Sequence, residues 1–293
     1  DKAPRHYNYI GVQMTTAQAP QDVLSLTQVV HRKPSLTLIR YKAPEFLAGM
    51  VILDDGSQNL SYIPQRQRLI VTESFFGPSQ TAASAQQLQR LKANYEIVQV
   101  GRETFSNRRC LVVEIRPRYP GNPKRKLWLD AATGLELKTE RYNARGKLSM
   151  TTRFVEIAFP ASIPDERVAL PAPAQTLEKI DRMPVPLELK QCPQMAGFQA
   201  LMPQYLPRGY TFLGASLLRA GKRAIVHLKF SDGMNTISLF ERLSGDRRSH
   251  DRQHGRWPGL QAQIKEWTIG DLKLTLMSDL PEEELERIAG SVF

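Results

Sequence analysis

The strongest constraint on this chain is a long succession of short β-rich runs whose connections are too brief to hold a crossover helix. Between Tyr7 and about Phe159 the runs include Ser35–Tyr41, Gly49–Leu53, Leu60–Ile63, Arg68–Thr72 and Tyr95–Val100. Cys110–Arg116, Lys126–Asp130, Leu135–Tyr142 and Lys147–Ile157 follow, all punctuated by turn residues. Asp54-Asp55-Gly56 reads as a hairpin turn, and Ala131–Gly134 and Asn143–Gly146 as loops between the last three runs. Parallel neighbours would need crossovers of about a dozen residues or more, so the sheet must be antiparallel with successive strands adjacent. An open sheet of about eight strands curls. The expected fold class is therefore α+β, beginning with a curved antiparallel half-barrel whose hollow is a natural apolar site.

One segment breaks the strand pattern. Ser79–Asn94 lacks Gly and Pro and sets Ala85, Leu88, Leu91 and Tyr95 roughly on one face, which predicts an amphipathic helix inserted between strands and laid on the sheet. Between residues 160 and 193 prolines at 160, 164, 171, 173, 184, 186 and 193 erase the periodicity and predict a semi-rigid linker. Beyond it, Tyr210–Leu218, Ala224–Phe230, Thr236–Glu241, Leu260–Thr268 and Leu272–Met277 read as strands. After Pro281, three glutamates and then Leu285, Ile288, Ala289 and Val292 form one apolar helical stripe. The expected organisation is a half-barrel over 1–160, a linker over 161–193 and a small α+β domain over 194–293. The abrupt start at Asp1, with no initiator Met and no apolar leader, reads as a processed or trimmed product from which a signal peptide was removed; the alternative is a fragment of a cytosolic protein.

Catalytic chemistry is not evident. No phosphate-binding Gly-rich loop or nucleophile elbow occurs. His250 and His254 have helical metal-ligand spacing but lack the glutamate of a zinc protease and lie among arginines. His6, His31 and His227 stand alone in strand-like contexts, and no carboxylates pair. No enzyme, metal or cofactor is expected. Cys110, in a strand, and Cys192, at the end of the linker, would make one bridge between the domains if oxidised; buried free thiols are the alternative.

Charge leans the reading toward an anionic partner, because 40 Lys and Arg against 29 Asp and Glu leave +11. Its densest patch is Arg242, Arg247, Arg248, Arg252 and Arg256, supported by Arg219, Lys222 and Arg223. No base-reading element accompanies these residues, so nucleic acid is not the expected partner. An acidic peptide or lipid phosphate needs only the charge, and a merely solvated basic face stays open.

Several stretches are more specific. Cys110-Leu-Val-Val-Glu-Ile-Arg-Pro-Arg-Tyr119, Lys126-Leu-Trp-Leu-Asp130, Thr133-Gly-Leu-Glu-Leu-Lys138 and Gly146-Lys-Leu148 resemble the late strands of the RseB (MucB) family of periplasmic regulators. Leu206-Pro-Arg-Gly-Tyr210, Phe230-Ser-Asp-Gly-Met234, Thr236–Glu241, Leu280-Pro281 and Arg287-Ile-Ala-Gly-Ser-Val292 resemble that family's smaller C-terminal domain. The resemblance implies a first domain like those of the lipoprotein carriers LolA and LolB, an unclosed barrel lined with apolar side chains. It also implies binding without catalysis. The partners would be the periplasmic segment of a membrane-anchored anti-sigma factor, shielded from proteolysis, and acyl chains of lipoprotein or lipopolysaccharide, which relieve that protection. A carrier moving acylated proteins between envelope membranes is the alternative.

Strand alternation supplies cavity candidates without choosing a face: Leu36 and Leu38 or Ile39 and Tyr41, then Met50 and Ile52 or Val51 and Leu53. Leu36, Leu38, Met50, Ile52, Leu60, Tyr62 and Ile70 form the candidate lipid-contacting set, with ordinary sheet core as the alternative.

Overall fold

Apolar and polar residues alternate with a period of two along most strands, so each strand buries one face and the sheets must stack something on it. The computed structural model describes residues 6–17, 23–74, 78–220, 223–244 and 263–293. The first half consists of β1 (Tyr9–Ala17), β2 (Val23–Arg32), β3 (Leu36–Ala43), β4 (Val51–Asp54), β5 (Gln58–Ile63), β6 (Arg68–Glu73), helix α1 (Pro78–Asn94), β7 (Tyr95–Phe105), β8 (Arg108–Pro117), β9 (Lys124–Asp130), β10 (Glu136–Tyr142) and β11 (Leu148–Ala158). Among the described residues these strands and β12 (Lys179–Asp181) make one sheet in the order β12-β6-β5-β4-β3-β2-β1-β11-β10-β9-β8-β7. Two antiparallel meanders therefore meet at a single seam, β1 against β11. A bulge between Val12 and Gln13 bends that seam. Beside it, Gly11 admits the Phe154 ring: a Cβ there would lie 2.6 Å from both the ring and the Glu156 carbonyl oxygen. The sheet is open, with β12 and β7 as its two ends.

The segment expected to be a linker is built into both sheets. Residues 163–177 pack on the first sheet through Ile163, Val168, Leu170, Ala174 and Leu177, and β12 adds to β6 in parallel. Three residues later β13 (Val185–Leu187) opens the second sheet. Prolines remove backbone donors, which is tolerable on edge strands because one side needs no partner. Helix α1 also departs from expectation. Ala85 and Leu88 are exposed, and only the end of the apolar stripe, Leu91 and Tyr95, turns inward.

The second sheet runs β13-β14-β15-β16-β18-β17, with β14 (Thr211–Ala220), β15 (Arg223–Ser231), β16 (Thr236–Leu243), β17 (Gln263–Ile269) and β18 (Leu272–Ser278). Helix α2 (Glu282–Ala289) covers one face with Leu285 and Ile288, over Val226, Leu228, Phe230, Ile237, Leu239, Leu274 and Leu276. Cys192 is buried in this core and Cys110 in a separate core of the first sheet. Both are free thiols, so the bridge between them is not formed.

The same alternation that buries Ile237 and Leu239 carries Glu241 into this core, opposite Val226 and Leu274. Its wholly buried carboxylate accepts the Leu201 backbone N–H at 3.1 and 3.2 Å. Burial pushes its pKa up to about 7, against a partial lowering by that hydrogen bond. The native state thus keeps a proton that the unfolded chain releases near 4.5. Stability is full below that value and declines as pH rises to about 7, by an amount on the order of 3 kcal/mol. Urea titrations of Glu241→Gln between pH 4 and 8 should lack this decline; an unchanged slope would assign it to other groups.

Candidate functional site: the two faces of the first sheet

The registers of β2 through β6 sort their side chains into rows, because directly opposed residues share a face. Val30, Leu38, Leu53, Leu60 and Val71 stand in one row, flanked by Arg40, Val51, Tyr62 and Leu69. Residues 163–177 seal this face: Leu38, Val51, Leu60, Tyr62, Leu69 and Val71 cluster with Ala174, Leu170 and Leu177. Leu36 joins Val30, Ile163 and Val168 beside them.

On the opposite face Val29, Ile39, Ile52, Ser61, Ile70 and Ile180 follow one another across six strands. Ile39, Ile52, Ile70 and Ile180 are each only half-buried. One register step away lies a polar row, Tyr9, His31, Thr37, Asp54, Asn59 and Thr72. His31 is wholly buried, its Nδ1 within 2.7 Å of the Thr37 hydroxyl and its ring stacked on Tyr9. Asp54 is not a turn residue but the buried end of β4, accepting hydrogen bonds from the Ser74 hydroxyl and the Gly56 N–H. This face therefore offers an apolar strip bordered by a hydrogen-bonded polar one.

The candidate lipid set divides between the two faces. Leu36, Leu38, Leu60 and Tyr62 belong to the sealed one; Ile52 and Ile70 belong to the open row, and Met50 is buried just before β4. Ile180 was missed because proline punctuation hid β12. Its signal was only the register that a parallel edge strand imposes.

The second candidate surface is basic. Arg242, half-buried, stands opposite Lys273. Arg247, Arg248, Arg252 and Arg256, with His250 and His254, lie outside the described residues. His227 stacks on Phe240, and burial lowers its pKa to about 4, with Lys229 adding to the effect. Among the described residues no three His, Cys, Asp or Glu side chains gather as a metal site. A cavity of about 400 Å³ lies where the sheets meet, lined by Thr72, Glu73, Arg182, Leu213 and Lys229 among others.

With this geometry in hand, the model of the MucB/RseB N-terminal domain matches residues 2–172. The chain belongs to the MucB/RseB family. The matched span runs past residue 160 and takes in most of the segment that seals the Leu38 face. A relative in Haemophilus influenzae, the sigma-E factor regulatory protein RseB, is 22% identical over 253 residues, covering 84% of this chain and 76% of that protein. The fold is that of solved MucB structures. In the Pseudomonas aeruginosa MucA/MucB complex the likeness spans 100% of this chain and 95% of that one, at 18% identity and a TM-score of 0.68. MucB in complex with MucA(peri) gives 19% identity and 0.63 over the same shares.

The two faces predict different sensitivities. Leu38→Ala, in the sealed row, should cost about 2–5 kcal/mol in urea unfolding, whereas Ile52→Ala, half-open, should cost under about 2. Equal losses would mean that the isoleucine row is sealed as well.

Proposed function

We propose that this protein is a non-enzymatic periplasmic regulator. It binds the periplasmic segment of a membrane-anchored anti-sigma factor and senses acyl chains of lipoprotein or lipopolysaccharide on its first sheet. The observation that carries this reading is the family match over residues 2–172. The Haemophilus relative is named a sigma-E factor regulatory protein, and two solved relatives are complexes of MucB with MucA. No described helix is long and apolar enough to cross a membrane.

Lipid sensing rests on the half-buried row Ile39, Ile52, Ile70 and Ile180. Each acyl CH₂ buried there is worth about 0.8 kcal/mol, so a chain of ordinary length binds without any catalytic group. The units over 1–160 and 194–293 divide the work, with the segment between them completing both sheets. The smaller unit, through Arg242, Arg247, Arg248, Arg252 and Arg256, steers an acidic partner by long-range attraction.

Four experiments test the reading. Immobilised protein should capture a single-span anti-sigma factor from detergent-solubilised envelope membranes, and added lipoprotein or lipopolysaccharide should release it. Ile39→Asp with Ile52→Asp should lower acyl-ligand affinity about tenfold or more and spare capture. Transfer of labelled lipoprotein between membranes, with no such capture, would favour a carrier instead. Reversing the five arginines to glutamate should weaken capture and flatten its dependence on salt; unchanged affinity would reduce that cluster to a solubility feature.

A further inference from the structure

Among the described residues the two sheets share no apolar core. Every described buried apolar cluster belongs to one sheet or the other. What joins them is polar, and its centre is the turn Ser231–Asn235, which connects β15 to β16.

This turn is rigid before it touches anything. Asp232 Oδ1 accepts the N–H groups of Met234 at 2.9 Å and Asn235 at 2.7 Å. The Ser231 hydroxyl accepts the Gly233 N–H and donates to the Asn235 carbonyl. The other Asp232 oxygen, Oδ2, accepts Asn235 Nδ2 at 3.2 Å and, from the first sheet, the Tyr95 hydroxyl at 2.5 Å, while Asn235 Nδ2 also donates to that hydroxyl at 2.9 Å. Asn94, at the end of α1, donates to the carbonyls of Asp232 at 2.8 Å and Gly209 at 2.9 Å. Arg125 donates to the Met234 carbonyl at 3.0 Å. Gly233, at φ +100°, lies so near α1 that a Cβ would be 2.4 Å from the Leu91 nitrogen. Tyr95, Asp232 and Asn235 are all buried.

Joints between domains move unless they are large and hydrophobic. Here the resistance to motion is concentrated in one buried, charge-assisted network, and such networks fail as units once water enters. The chain offers a hinge in the right place. Only Arg182, Met183 and Pro184 separate β12 of the first sheet from β13 of the second, and Met183 is exposed. Among the described residues the other polar ties are an exposed Arg145–Glu283 pair, a 3.9 Å Arg141–Asp279 pair, Asn122 to the Arg208 carbonyl and Arg182 to the Arg219 carbonyl.

We propose that the Ser231–Asn235 turn is a latch: seated on Asn94 and Tyr95 it holds the two sheets as one body, and its release lets them swing about residues 182–184. The latch sets how events on one sheet reach the other, whatever ligand or partner either sheet takes.

The test uses the full-length chain. Tyr95→Phe deletes only the hydroxyl that bridges Asp232 and Asn235. It should raise the rate of tryptic nicking after Arg182 by about tenfold or more and enlarge the radius of gyration in small-angle scattering, with far-ultraviolet circular dichroism unchanged. Arg145→Ala, which removes an exposed ion pair, should leave nicking within about twofold of the parent. Should Tyr95→Phe disturb β7 itself, Asn94→Ala decides by the same readouts, because it removes two bonds without touching that strand. Folded variants with parental nicking rates and scattering curves would overturn the latch.

Discussion

Cross-strand register in β2 through β6 is the constraint on which the first sheet depends. With a side-chain period of two, a slip of one residue in β3 would bring Thr37 and Ile39 under residues 163–177 and turn Leu38 to the other side. Both faces specify the register, which is why it holds. One face excludes a slip because Leu38 and Val51 are wholly buried beneath Ala174. The other excludes it because His31 needs Thr37 and Asp54 needs Ser74, and a buried polar group without its partner costs about 1–3 kcal/mol. The β4–β5 turn fixes the start of the count. Burial would raise the Asp55 carboxyl, yet hydrogen bonds from Ser57 and Gln58 outweigh it and hold that group below its ordinary range. An apolar strip and a polar strip on one face therefore follow from the same pinning that builds the core on the other.

The two sheets solve the problem of burial differently. The smaller one is a single continuous core, sealed on one side by α2, and burial raises the pKa of Glu241 within it while the Leu201 N–H answers its carboxyl. The larger one has several separate clusters, since a curved sheet of twelve strands cannot be covered by one short helix. Its coverage comes from irregular chain over 163–177. Among the described residues no buried apolar cluster spans the two sheets, so hydrogen bonds and a few ion pairs carry much of their mutual placement. Polar joints are geometrically exacting and energetically modest. That combination gives one defined arrangement without making it permanent.

Much of this was legible in the residues. Antiparallel order followed from connection length, and α2 from its glutamates and its stripe of Leu285, Ile288, Ala289 and Val292, because those signals are local. The misses are the places where a distant partner decides. Prolines at 171, 173, 184 and 186 argue for a linker, yet edge pairing needs hydrogen bonds on one side only, so β12 and β13 form there. Asp54 looked like turn chemistry beside Asp55 and Gly56; a serine twenty residues away makes it a buried strand end. Leu38 and Ile52 were equal as apolar strand residues, and only residues 163–177 separate them. Alternation says that two faces exist. It cannot say which one the chain will later cover.

Net charge reads differently once its neighbours are known. On β8 through β10 the basic residues are partly answered locally. Lys126 lies opposite Glu114 and Glu140, and Lys138 pairs with Glu140 at 2.7 Å. Lys124 sits over the Tyr142 ring, Lys126 and Lys138 over Trp128, and Arg108 grips Asp130 with two nitrogens. These cations stiffen a sheet surface by cross-strand attraction and cation–π contact, yet the three strands still hold eight Lys and Arg against four Asp and Glu. The stretch from Arg242 to Arg256 has five arginines against Asp246 and Asp251, a surplus of three within the total of +11. Both surpluses act over about a Debye length. Counted by unit, residues 1–160 hold 23 Lys and Arg against 13 Asp and Glu, whereas residues 194–293 hold 13 against 11, so the excess belongs to the larger unit and the arginine cluster is a local concentration within a nearly balanced smaller one.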